Sequence, residues 1–156
     1  MAAIQVGHRS PDVTAPTHDG QHFVLSDFRG HKVVVLFFYP ADGSLVCTAE
    51  ACAFRDAYTS FTDAGAAVVG VSGDSLDAHR GFVANHKLPF QLLSDADGQI
   101  RKAFGVPKTL GLFPGRVTYV IDKKGIVRHI FSSQLAASQH VAEALKVVEQ
   151  LLREST

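Results

Sequence analysis

The sequence predicts an α/β fold: a central mixed β-sheet with helices on both faces and an N-terminal β-hairpin. Three observations predict it. Two short apolar runs, Val33 to Tyr39 and Ala66 to Ser72, read as strands buried on both faces. Segments of helical periodicity follow each run, and this alternation belongs to sheets covered by helices. Near the C-terminus two strands flank Asp122-Lys123-Lys124-Gly125 and an amphipathic helix follows, which adds antiparallel strands to the sheet.

Taken in order, residues 1–12 carry Gly7, Ser10 and Pro11 and read as an extended leading segment. Ala15 to Leu25 is a hairpin with its turn at Asp19-Gly20. Ser26 to Gly30 is a second turn. Val33 to Tyr39 is the first buried strand, and Pro40 stops it. Ala41 to Ser44 turns the chain, with Asp42 and Gly43 at its centre. Cys47, Ala51, Phe54 and Tyr58 then fall at helical steps, which predicts one helix from about Leu45 to Asp63, ended by Ala64-Gly65. Ala66 to Ser72 is the second buried strand, Gly73-Asp74-Ser75 a turn and N-cap, and Leu76 to His86 a helix. Gln91 to Leu93 is a short strand, Ser94 to Gly98 is polar, and a short helix follows to Phe104. Gly105 to Gly115 holds Pro107, Gly111 and Pro114 and reads as a loop, because Pro and Gly remove helix and ladder options. Val117 to Ile121 and Ile126 to Phe131 form a hairpin. Val141, Ala144, Leu145, Val148, Leu151 and Leu152 mark one face of a final helix.

At 156 residues, with no internal repeat and no long linker, residues 1–156 are expected to form one domain. The formal net charge is zero, so nothing favours nucleic acid or an anionic membrane surface as partner. No run approaches the ~20 apolar residues that a membrane-spanning helix needs. Met1 to Val6 shows no basic region before an apolar core, so no signal peptide is visible and a cytoplasmic protein is expected.

The chemistry concentrates in the stretch after the first strand, where both cysteines lie. Cys47 falls in the first turn of the predicted helix, where unpaired N–H groups and the dipole favour an anion. A free cysteine is only a few per cent thiolate at pH 7, and reaching about nine-tenths takes roughly 3.4 kcal/mol. A helix terminus supplies ~0.3–2 kcal/mol, so a cation or further hydrogen bonds must help. Arg116 and Arg55 are the candidates. The residues alone leave a second reading open, a small buried apolar filler. Cys47 and Cys52 stand at i and i+5, on different faces of an intact helix, with Cα atoms roughly 8.5 Å apart. A disulfide needs about 7 Å, so the two cannot bond while the helix is whole. The spacing also fits neither a C-x-x-C centre nor a zinc site. The eight histidines are scattered through turns and polar helix faces without metal spacing. They are expected on the solvated surface, and no metal is expected.

The run Phe38-Tyr39-Pro40-Ala41-Asp42-Gly43-Ser44-Leu45-Val46-Cys47-Thr48-Ala49-Glu50-Ala51-Cys52-Ala53-Phe54-Arg55-Asp56 resembles the peroxiredoxins. The nearest branch is the Q type, also called bacterioferritin comigratory protein. Pro40, Ser44 and Cys47 meet the family's P-x-x-x-[TS]-x-x-C, and Cys47 and Cys52 meet the C-x-x-x-x-C of one Q-type branch. The likeness continues through Gly70-Val71-Ser72, Leu88-Pro89-Phe90, Leu93-Ser94-Asp95 and Gly105-Val106 to Gly115-Arg116-Val117-Thr118.

The resemblance implies a thioredoxin-like fold, no cofactor, and a monomer that reduces hydrogen peroxide and organic hydroperoxides. In that family a peroxidatic cysteine, here Cys47, forms an intramolecular disulfide with a resolving cysteine, here Cys52. Thioredoxin or a similar dithiol reduces the disulfide. Donors for the peroxide oxygens would be Ser44 Oγ, N–H groups of the Ser44 to Cys47 turn, and Arg116. Pro40 would shape and shield the loop as well as end the strand. Glu50 matches a family position that can pair with arginine; by itself it is equally a solvated first-turn carboxylate. Arg55 reads as a structural salt-bridge partner more than a cysteine contact. The family usually carries Thr-Pro-Gly before the cysteine, and here Ser44-Leu45-Val46 keeps the hydroxyl but adds apolar bulk at the pocket mouth. Two other readings compete: a redox-regulated binding protein on this scaffold, and a thioredoxin-like dithiol reductase. A missing C-x-x-C, and no Trp before the cysteine, argue against the reductase.

Overall fold

The computed structural model describes residues 4–106, 108, 109, 113, 114, 116–133 and 137–154. Its centre is β3 (Val33–Phe38), whose six residues are all buried. To one side β3 pairs in parallel with β4 (Ala66–Ser72), from Val33↔Ala66 to Phe38↔Val71. To the other it pairs antiparallel with β8 (Val117–Ile121), from Val34↔Ile121 to Phe38↔Val117. With β5 (Gln91–Ser94) and β9 (Val127–Ser132), the sheet order is β5-β4-β3-β8-β9. It is the mixed sheet that the strand pattern predicts.

A strand sends alternate side chains to opposite faces, so β3 feeds two cores. Val33, Val35 and Phe37 meet the helices α1 (Leu45–Asp56), α2 (Tyr58–Asp63), α3 (Leu76–His86) and α5 (Ala137–Glu154). Val34, Leu36 and Phe38 meet α4 (Gln99–Phe104) and the hairpin of β1 (Thr14–Pro16) and β2 (His22–Val24). Helices cover both faces, but unequally: the hairpin does much of the second face's work.

On β4, between its neighbours β3 and β5, the side chains of Phe37 and Leu92 close over Gly70. A Cβ there would lie 2.7 Å from Leu92 Cδ2 and 2.8 Å from Phe37 Cζ. Gly70→Ala is therefore expected to destabilise the protein by about 1–3 kcal/mol, the usual cost of overpacking a filled core. Urea unfolding reads this as a lower midpoint at unchanged slope. An unmoved midpoint would mean that Phe37 and Leu92 give way freely.

Three expectations need correction. The single helix to Asp63 bends at Ala57 (φ −95°, ψ 3°) into α1 and α2, although the Ala57 amide still bonds the Ala53 carbonyl at 3.1 Å. Neither Gly nor Pro marks the bend in the sequence. The turn after β2 begins one residue earlier, as a turn of 3₁₀ helix over Leu25–Phe28 with Leu25 buried. The Gly/Pro-rich segment is not all loop: β6 (Lys108–Thr109) and β7 (Phe113–Pro114) pair antiparallel, with Lys108↔Pro114 and Thr109↔Phe113. Residues 107, 110–112 and 115 of that segment lie outside the described residues.

Candidate active site

Cys47 lies where β3 turns into α1. Tyr39 continues the strand by one more bond, its amide to the Val71 carbonyl at 3.0 Å, and Pro40 offers no donor to extend it. Gly43 takes φ +78°, which suits glycine, and Ser44 is the extended N-cap (φ −71°, ψ 154°). Cys47, Glu50, Ala51 and Phe54 then follow at helical spacing, and all are buried. Phe54 stacks on Phe37 with ring centroids 4.5 Å apart, which seats α1 on the sheet.

The loop is braced from beneath. Tyr39 Oη donates to Asp42 Oδ1 at 2.6 Å, and the Asp42 amide donates to Asp74 Oδ2 at 2.8 Å. His79 spans Asp42 Oδ2 through Nδ1 (2.6 Å) and the Leu93 carbonyl through Nε2 (2.9 Å). Burial first, and then Asp42, push the Tyr39 phenol well above its usual range, so it stays a donor. Asp42, Asp74 and His79 are also the one group among the described residues with metal-like spacing, their ligand atoms within 4.8 Å. Their bonds to one another, to Tyr39 and to Ser72 (Oγ to Asp74 Oδ2, 2.6 Å) account for them as a brace.

Arg116 reaches the thiol because of strand register. Phe38 pairs with Val117, so the residue before β8 arrives beside the end of β3. Arg116 Nη2 donates to Cys47 Sγ at 3.1 Å and Nη1 to Glu50 Oε1 at 2.9 Å. The Glu50 side chain is 0% exposed and that of Arg116 3%. Each charge here needs the other, since an unpaired buried ion costs several kcal/mol. Burial pushes the Glu50 carboxyl up to about 7, against the downward pull of Arg116.

Beyond Glu50 the cluster continues to α5. His140, fully buried, places Nδ1 3.4 Å from Glu50 Oε2 and 2.7 Å from Thr118 Oγ1. Its Nε2 faces the Ser133 carbonyl at 2.8 Å, and the ring packs edge-on to Phe131 at 4.8 Å. Burial holds the ring below the usual imidazole range, the Ser133 carbonyl opposes this, and Arg116 adds to it. The 3.4 Å approach is within ion-pair reach but outside hydrogen-bond geometry. Among the described residues Glu50 Oε2 has no hydrogen-bond partner.

The remaining predicted residues lie around this core. Ser44 Oγ donates to the Ala41 carbonyl at 3.2 Å, so its hydroxyl is turned to its own loop. Leu45, the first residue of α1, is 87% exposed. Cys52 is on another face of α1, with Sγ 3.8 Å from His86 Nδ1. Arg55 donates to the His86 carbonyl at 2.7 Å and pairs with Asp56, a structural role away from Cys47. Both cysteines are free thiols. The expectation of eight solvated histidines fails at His79 and His140, both 0% exposed. Each lies on the buried face of its helix: Phe82 follows His79 three residues on, and Ala144 and Val148 follow His140 by four and eight. That spacing is visible in the sequence.

A family model described as the AhpC/TSA family matches residues 6–130. A chloroplastic peroxiredoxin Q of Populus jackii is 48% identical over 152 residues, 97% of this chain and 71% of the relative. Among solved structures, peroxidoxin BcpB of Mycobacterium tuberculosis superposes with TM-score 0.87 at 34% identity, over 95% of this chain and 98% of that one. A Xanthomonas campestris bacterioferritin comigratory protein, described for its alkyl peroxide reduction activity, superposes with TM-score 0.82 at 27% identity, covering 90% and 92%.

Proposed function

The chain belongs to the AhpC/TSA family and is a thiol-dependent peroxidase of the peroxiredoxin Q type, and on that premise we propose how its residues divide the reaction. The Cys47 thiolate attacks the nearer oxygen of the peroxide. The O–O bond breaks, Cys47 becomes a sulfenic acid, and hydroxide or alkoxide leaves to take up a proton. The Cys52 thiol then displaces water from that sulfenic acid and closes the Cys47–Cys52 disulfide. A dithiol such as thioredoxin returns both thiols and is itself oxidised. Arg116 Nη2, 3.1 Å from Sγ at the start of α1, is the observation that carries this reading. It puts a charge-assisted donor and a helix N-terminus on one buried sulfur.

Pro40 and the braced loop hold the backbone N–H groups of the first turn toward the incoming oxygens. Ser44 shapes that turn through its Ala41 bond. Exposed Leu45 favours hydroperoxides with an apolar tail, in keeping with the alkyl peroxide activity described for the Xanthomonas protein. The site's residues come from one chain, and a monomer suffices for the chemistry. Among the described residues no helix is long and apolar enough to cross a membrane. The working compartment is a reducing one, the cytoplasm being the simplest, although the poplar relative is chloroplastic.

The two thiols must move to meet. α1 runs unbroken from Leu45 to Asp56, which keeps Cα atoms at i and i+5 roughly 8.5 Å apart. Closure within about 7 Å requires its first turns to unwind. Cys52→Ser is expected to consume one equivalent of peroxide, then fail to turn over with thioredoxin and over-oxidise readily. Amide exchange tests the unwinding: protection over Thr48 to Ala53 should drop in the disulfide form. Equal protection in both forms, with the disulfide confirmed by mass, would refute it.

A further inference from the structure

The Glu50–His140 contact has a charge problem that the sequence of steps above leaves unsolved. The Ser133 carbonyl can only accept, so His140 Nε2 carries a hydrogen. In the neutral ring, Nδ1 is then an acceptor, already supplied by Thr118 Oγ1 at 2.7 Å. Glu50 Oε2 faces that acceptor at 3.4 Å with no donor of its own among the described residues. An ionised Oε2 against a neutral Nδ1 sets two lone pairs face to face in a dry interior, a costly arrangement. One proton, on either atom, removes the conflict. The sum of charges points the same way. With Cys47 as thiolate and Glu50 ionised, one Arg116 charge faces two negative groups, all nearly fully buried. Holding a proton at the Glu50–His140 end brings these described groups back to neutrality.

We propose that His140 is a positioning residue for peroxide reduction: its Nδ1 and Glu50 Oε2 hold one proton between them, which leaves the Arg116 charge to balance the Cys47 thiolate. The inference rests on the peroxidase reading. Among the described residues, the titratable groups that face the pair are Cys47 and Glu50 from α1, Arg116 ahead of β8, and His140 itself from α5; Thr118, Phe131 and the Ser133 carbonyl are neighbours that do not titrate. Since burial holds the Glu50 carboxyl near 7, the proton is present on the acid side and is lost as pH rises past neutrality. Reactivity should therefore decline again on the alkaline side, giving a bell-shaped profile whose acid limb is Cys47 ionisation.

The test is the rate constant of reduced enzyme with hydrogen peroxide, by stopped flow from about pH 5 to 9. His140→Asn keeps an N–H donor for Oε2 but holds no exchangeable charge. It is expected to slow the reaction about tenfold at neutral pH, the equivalent of one pKa unit, and to move the alkaline limb to lower pH. In a Glu50→Gln background the alkaline limb should be absent, and His140→Asn should add no further pH-dependent loss. An equal loss in both backgrounds, with the alkaline limb of His140→Asn unmoved, would reduce His140 to packing. If the variant does not fold, the wild type decides: infrared of the carboxyl and ¹⁵N resonances of the ring should show one proton on the pair near neutrality. A neutral ring beside an ionised Glu50 throughout would overturn the proposal. Failure of wild-type enzyme to consume peroxide would sink the peroxidase reading instead, because the spectroscopic readouts do not depend on turnover.

Discussion

Cys47→Ser is expected to abolish peroxide reduction, by on the order of 10⁴-fold or more. A serine hydroxyl is not ionised at neutral pH and is a far weaker nucleophile toward a peroxide oxygen than a thiolate. The replacement is nearly isosteric, so the fold should hold. Cys47 is 1% exposed, and its neighbours on α1 and β3 pack around a group of that size. Arg116 Nη2 would keep an oxygen acceptor in place of the sulfur. Loss of rate with an unchanged unfolding midpoint is the expected pair of results. Cys52 remains in this variant, so the assay also asks whether the second thiol acts alone. More than trace consumption of peroxide would move the nucleophile away from Cys47.

The second large effect belongs to Arg116→Ala. The substitution removes the donor to Sγ at 3.1 Å and the partner of Glu50 at 2.9 Å. A hydrogen bond to a charged group contributes roughly 1.5–3 kcal/mol. The peroxide reaction should therefore slow by about ten- to a hundredfold or more. Arg116→Lys should rescue poorly, because one ammonium does not span a thiolate and a carboxylate as a planar fork does. Without Arg116, Glu50 faces burial unopposed and takes up a proton more readily, since the arginine is what pulls its titration down. Urea midpoints measured beside the rate constants separate a loss of fold from a loss of chemistry. An unchanged rate constant in a folded Ala variant would assign the donor role elsewhere.

Much of this architecture is legible in the chain because its signals are local. Val33 to Tyr39 announces a strand buried on both faces, and the structure makes it the sheet's centre. Asp19-Gly20 and Asp122 to Gly125 mark turns that connect strands in register. The start of α1 at Leu45 follows from the change of period after Ser44. The site is legible in halves. Cys47 stands out by its place in a first turn, but Arg116 comes from 69 residues away and joins it through strand register. The thiolate's need for a cation makes Arg116 and Arg55 candidates, and the resemblance to a family favours Arg116; periodicity points to neither. In the sequence Glu50 suits solvent or an arginine equally, as a first-turn carboxylate does, and burial at the α1–α5 seam decides it. His79 and His140 escape a reading that counts histidines as surface, although each keeps step with apolar neighbours on its helix. The bend at Ala57 carries no sequence signal at all.

The two outer strands of the sheet have a further consequence. β5 is met on its open side by the hairpin, through the His18 amide to the Leu92 carbonyl and the Thr17↔Leu93 bridge. The first end of β9 is met by the leading segment, through the Gly7 amide to the Val127 carbonyl and the Val127 amide to the His8 carbonyl. One stretch of chain, ending before β3, thus lies along β5 and across the first end of β9. Unshielded strand margins recruit strands from other molecules and seed aggregates. Trimming the N-terminus, or fusing a bulky tag that peels it away, would leave the catalytic cluster intact in its parts. It would nonetheless expose the protein to self-association, so preparations of this enzyme are best tagged at the other end.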